Sequence, residues 1–186
     1  IGNLARALRT NNSERAAFEA AWMAHAITDG LTPAHHFPLE QAMAELRGGE
    51  GLETRTSILK KNLMKGDNGI ELIKNNWKFW GAKGMMTTHV AFEAGVASVV
   101  AYPRFKDAIP SSDEILQVKN HGYREYYLDQ VHAVASMKMY DNFSKSGWTT
   151  DLAWQTNHEL MPIIIKSVLL GWLASIWKLE AEKSES

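Results

Sequence analysis

The stretch NSERAAFEAAWMAHAITDGLTPAHH, residues 12–36, decides the fold class. It opens in the Asn11-Asn12-Ser13 cluster, whose side chains can accept hydrogen bonds from the free amides of a first helical turn, and continues helically to Asp29. Gly30 and then Pro33 prevent its continuation. Within it Phe18, Trp22, His25 and Asp29 recur at intervals of four, three and four, so a 3.6-residue period gathers them on one stripe. The stripe begins apolar and ends polar, which predicts a core-facing row carrying an imidazole and a carboxylate inward. A buried, unpaired polar group costs roughly 1–3 kcal/mol, and a charge more, so such a row calls for a shared partner. A metal ion is one partner that satisfies both groups.

Outward from this segment, apolar residues recur at helical spacing through most of the chain, with little strand-like alternation and no repeat, which predicts one all-α domain over residues 1–186. A short helix is expected after Pro38, stopping at Gly48-Gly49. Helical segments near 53–64 and 70–80 are separated by Lys65-Gly66-Asp67-Asn68-Gly69, and a break follows at Gly81 to Gly84. Longer helices are predicted from Thr87 to Tyr102, ended by Pro103, and from Gly122 to Phe143, ended near Gly147. The last begins near Thr149, where Pro162 should kink it or divide it. From Leu160 to Trp177 the only charge is Lys166, a length approaching the roughly 20 residues of a membrane span. We read this segment as a buried central helix, with membrane association through 160–178 as the alternative. The tail from Glu180 reads as a frayed, solvated end.

Composition narrows the chemistry. With 45% hydrophobic residues, 22% charged residues and a formal net charge of -1, the chain falls outside the disordered class, and charge lends no support to a nucleic-acid partner. There is no cysteine, so any metal must be held by imidazole and carboxylate. The turn after Asp29 delivers His35 and His36 just past the helix end, bringing a further imidazole toward the same pocket. Later, His89, Glu93, Val96 and Val100 repeat the arrangement of a ligand-type pair one turn apart at the head of an apolar stripe. Zinc accepts this nitrogen and oxygen set, as do manganese and iron(II), and two such clusters could hold a pair of ions suited to phosphoryl chemistry.

The stretch His25-Ala26-Ile27-Thr28-Asp29-Gly30-Leu31-Thr32-Pro33-Ala34-His35 resembles the H-x3-D-x3-P-x-H signature of the zinc-dependent phospholipase C and single-strand (S1-type) nuclease superfamily. His89-Val90-Ala91-Phe92-Glu93 resembles its later H-x3-E pair. The resemblance implies an all-helical fold, a trinuclear zinc cluster, hydrolysis of phosphate esters and an extracytoplasmic location. It gives His25 and Asp29 to one metal pair, with Asp29 bridging and therefore the candidate catalytic residue, and assigns His35, His89 and Glu93 to a separate zinc. Family members draw further ligands from upstream, and residues 1–24 offer none of them, so the chain reads as the C-terminal part of a longer protein. The interval from His35 to His89 exceeds the family's usual spacing and implies an inserted helical segment at about 38–84. One to three zinc ions are expected in the complete protein and one or none in this chain. The expected substrate is a small phosphate ester or a lipid head group; a non-catalytic metal-binding or partner-binding module derived from such an enzyme is the alternative.

The other histidines have simpler readings. His36 is either a surface residue or a support for His35, and His132 either a core or boundary residue or a substrate-side group. His121 and His158 read as solvated. Tyr123, Tyr126, Tyr127, Trp148 and Trp154 could line a groove, although aromatic residues at helical spacing more often fill a core.

Overall fold

Three helices organise the chain: α1 (Gly2–Arg9), α2 (Ser13–Gly30) and α11 (Met161–Ser184) pack mutually. The structure, a computed structural model, describes residues 1–102 and 105–184, and all regular structure among the described residues is helical. Asn12 caps α2 by accepting a hydrogen bond from the Arg15 amide at 2.9 Å. The face that α2 buries differs from the predicted one. Ala16, Glu19 and Ile27 are buried, with Ala20 and Met23 packed beside them, whereas Phe18 is 56% and Trp22 61% exposed. The reason is close approach. The Trp172 indole on α11 donates to the Ala20 carbonyl at 3.1 Å, a contact that small residues permit and a tryptophan stripe would block.

Beyond the turn Pro33–His36 come α3 (Leu39–Leu46), α4 (Ile58–Asn62) and α5 (Gly69–Trp80). The helix expected over 53–64 shortens to α4, because Ser57 caps Ile58 and the preceding residues are held differently. Buried Arg47 donates to the Lys60 and Leu63 carbonyls, and buried Arg55 pairs with Glu40 at 3.0 Å. This segment has its own small core of Met43, Met64 and Phe79. It joins the main body through α5 against α6 (Met85–Val100). Pro103, the expected end of α6, lies outside the described residues.

Helix α7 (Ser112–His121) was not anticipated, although Ser111 and Glu114 form a reciprocal capping box that marks its start. The single helix expected over 122–143 is divided into α8 (Tyr123–Ser136) and α9 (Met139–Ser146) by Lys138 at φ 52. Nothing in Ser136-Met137-Lys138 signals a break. The left-handed residue costs roughly 1–2 kcal/mol and turns Met139, Tyr140 and Phe143 into the main core. At the other end, α10 (Thr150–Gln155) runs into one π turn, Thr156–Leu160, and on into α11. The Met161 amide bonds the Thr156 carbonyl five residues back, so the helix widens beside Pro162 instead of dividing.

Thr150–Ala181 is the one helical run among the described residues long and apolar enough to cross a membrane by length and composition. Within the chain, α11 packs against α1, α2, α7 and α8, and Ile164, Ser167, Leu170 and Ser175 are buried. Helix persists to Ser184, past the point at which fraying was expected.

Two measurements check this packing. The Trp148 indole fills the place of a side chain at Gly95 in the middle of α6. Gly95→Ala, which in an open helix stabilises by roughly 0.5–1 kcal/mol, is therefore expected to destabilise by about 1–3 kcal/mol in a denaturant titration. Glu114 meets Lys166 of α11 at 3.1 Å. Burial, the largest single influence, pushes its carboxyl up, but hydrogen bonds from Ser111 and Lys166 outweigh it and hold the group below its ordinary value of 4.5. A depressed carboxyl contributes stability above that value and loses it as pH falls through the lower folded value. Glu114→Gln should thus be less stable than the parent at pH 7, with the gap closing below pH 4.5 when urea midpoints are compared.

Candidate metal centre

Leu31 and Ala34, both fully buried, hold the turn Pro33–His36 against the main core. The Thr32 hydroxyl donates to the Thr28 carbonyl at 2.8 Å, and the His35 amide to the Thr32 carbonyl at 2.9 Å. Gly30 is needed at the helix end because the Tyr127 hydroxyl occupies the space a side chain would take. The turn touches α2, α6, α8 and α9, so four helices fix the position of His35.

Across from it, His89 is buried near the start of α6 with Tyr140 edge-on to its ring, and Glu93 lies one turn on with its side chain open to solvent. The His35 and His89 rings stack with centroids 5.3 Å apart and planes 6° from parallel. Both Nε2 atoms converge on one oxygen, Glu93 Oε1, at 3.1 and 3.2 Å. The three donor atoms lie within 4.8 Å of one another.

Hydrogen-bond accounting shows what this convergence needs. His35 Nδ1 lies 3.1 Å from the Asp29 carbonyl, so a proton on Nδ1 donates there. Nε2 then either donates to the Glu93 carboxylate, as in an imidazolium, or presents a lone pair that a shared cation would take up. Donors about 2.0–2.1 Å from a tetrahedral zinc stand about 3.3–3.4 Å apart, close to the His–Glu separations here. Holding the free ring nitrogen on a backbone carbonyl is also how metal-binding histidines are oriented. His35, His89 and Glu93 are therefore a donor set that could hold a divalent ion. His89 Nδ1 is buried without a hydrogen-bond partner among the described residues.

His25 and Asp29 form a separate pair. His25 Nε2 lies 3.1 Å from Asp29 Oδ2, on the exposed face of α2 and outside the three-residue cluster. This corrects the expectation that α2 aims the pair inward; the buried stripe of α2 is the one bearing Ala16 and Ile27. Asp29 still adjoins the cluster, with Oδ1 3.9 Å from His35 Nδ1.

His36 Nε2 donates to the Gly30 carbonyl at 2.9 Å, bracing the turn, and His36 lines a cavity of about 270 Å³ with Phe37, Tyr140 and Lys138. His132 is exposed on α8 rather than at a core boundary, and takes no part in the cluster. His121 is exposed, and exposed His158 stacks on Trp154. Tyr126 is buried, and Trp148 packs on Phe92 in the core; Trp154 is exposed. Tyr140, absent from the sequence reading, borders the cluster. Burial first, and the Glu93 charge second, push its hydroxyl above the ordinary range, so it stays protonated beside His89. No periodic pattern marks it, because the left-handed Lys138 sets its direction.

Comparison with protein-family models, curated proteins and solved structures finds no match.

Zinc at a hundred times its Kd is expected to stabilise the chain by about 2.7 kcal/mol, raising Tm by about 5–10 °C. The shift should vanish in His35→Ala and Glu93→Gln and persist in His25→Ala; thermal melts with zinc and with chelator decide it.

Proposed function

We propose that this chain is a zinc-dependent phosphoesterase-like hydrolase of the phospholipase C and S1-type nuclease kind. The observation that carries the reading is the convergence of His35 and His89 on Glu93, drawn from two sequence-distant elements and matching the residues that the motif resemblance assigns to one zinc. When bound, zinc supplies a Lewis acid that polarises a phosphoryl oxygen and a water molecule.

The chain's own groups have separable tasks. His35 Nε2, His89 Nε2 and a Glu93 oxygen would hold the ion, and the Asp29 carbonyl fixes the His35 ring. The Asp29 carboxylate, open to solvent and beside His35, is the group placed to take a proton from the attacking water at Oδ1, while His25 hydrogen-bonds its other oxygen and orients it. The substrate is a small phosphate ester or a lipid head group, which present the same reacting centre.

A second reading is a metal-binding helical module without turnover. One observation favours it: His25 and Asp29 supply two donors, fewer than an ion in a metal pair takes from its protein. Hydrolysis of bis(4-nitrophenyl) phosphate separates the two. The enzyme reading expects zinc-dependent turnover that falls about 100-fold or more in Asp29→Asn while the zinc-induced Tm shift remains. Zinc-induced stabilisation with no turnover supports the module, and absence of zinc binding removes both.

A further inference from the structure

Helix α5 has an unusual division of faces. Phe79 is buried with Met43 and Met64, and Asn75 and Asn76 donate to the carbonyls of Lys65 and Met64 at 2.7 and 2.9 Å. The adjoining face carries Ile70, Ile73 and Trp77 at intervals of three and four, with Trp80 one turn on, and all four are exposed. Ile70 is 83% and Trp77 70% exposed. The Trp80 indole donates to the Asn62 carbonyl at 2.7 Å, which sets the end of α4 beside the end of this stripe. Around α4, Ile58, Leu59 and Leu63 are exposed as well, Ile58 by 79%. A helix face left to water carries polar residues, and a contiguous apolar patch of this kind marks an interaction surface.

Charge and side-chain type choose the occupant. Lys60, Lys61, Lys74, Lys78 and Lys83 are exposed around the patch, against the carboxylates of Asp67 and Glu71, while Lys65 is paired with Glu50, in a chain of net charge -1. Such a cluster complements an anionic surface. A single-stranded nucleic acid needs flat rings for base stacking, yet most of this patch is branched aliphatic. Aliphatic side chains that enter the acyl boundary, tryptophans at the depth of the head groups and flanking lysines are the composition of an interfacial element. We propose that residues 58–80 form a docking face that seats the chain on an anionic phospholipid bilayer. It shares no residue with the metal centre and does not depend on it, and it differs from the apolar run of α11, which packs within the helical body.

Co-sedimentation of the full chain tests this with vesicles of phosphatidylcholine alone and of phosphatidylcholine mixed equally with phosphatidylglycerol. The chain should pellet with the mixed vesicles and be released by high salt. Ile73→Ser with Trp77→Ser, and separately Lys74→Glu with Lys78→Glu, should each weaken partitioning at least tenfold. Both pairs are exposed, so circular dichroism and the zinc-induced Tm shift should match the parent. Because the chain has no cysteine, Ile73→Cys carrying an environment-sensitive fluorophore reads the same face directly and should blue-shift with mixed vesicles. Absence of pelleting, equal pelleting of parent and variants, equal binding to both vesicle types, an unshifted fluorophore, or retention by single-stranded DNA without vesicle binding would each overturn the proposal.

Discussion

The seating of the turn after α2 is the constraint on which the rest depends. Leu31 and Ala34 are fully buried in the main core, and between and beside them Thr32, Pro33 and His35 have little freedom. Four helices meet this turn, so displacing it would disturb the core from which α6 and α9 rise. His35 thus owes its position to apolar packing beneath it, while its Nε2 atom remains open toward Glu93. Packing supplies the rigidity, and the accessible edge supplies the chemistry.

Above that foundation, one carboxylate oxygen receives two imidazole nitrogens. The His35 ring is oriented by a backbone carbonyl, and the buried His89 ring is flanked by the His35 and Tyr140 rings. The two rings differ in how firmly they are held, since His89 Nδ1 has no hydrogen-bond partner among the described residues. The His25–Asp29 pair belongs to an open helix face that also carries stacked Phe18 and Trp22. The candidate centre is consequently asymmetric: one side is built on core, the other on a solvent-facing stripe.

The segment between the two ligand motifs follows a different logic. Its small methionine-rich core and the buried Arg47 and Arg55 fold it locally, and α5 docks it on α6. Two buried guanidiniums, held by carbonyls and a carboxylate but each with its Nε unpartnered among the described residues, are a costly way to order so short a stretch, and they leave its apolar stripe facing outward. The core and the stripe lie on different faces of α5, and Trp80, whose indole holds the Asn62 carbonyl, joins the patch to the local fold.

Local signals determined much of this protein. The Asn12 cap, the stop at Gly30 and Pro33, the ligand spacing His25–Asp29–His35 and His89–Glu93, and the all-helical class are properties of neighbouring residues, and short-range hydrogen bonding and periodicity express them directly. Tertiary structure decided what periodicity leaves open. Helix α2 carries two possible stripes, and close packing on α11 chose the small one, turning Phe18 and Trp22 to solvent. Lys138 broke a helix that has no local breaker, because burial of Met139, Tyr140 and Phe143 outweighs one left-handed residue. The motif spacing placed five ligand-type residues in two short stretches; only the packing of four helices on one turn brought His35, His89 and Glu93 together and left His25 and Asp29 beside them as a pair.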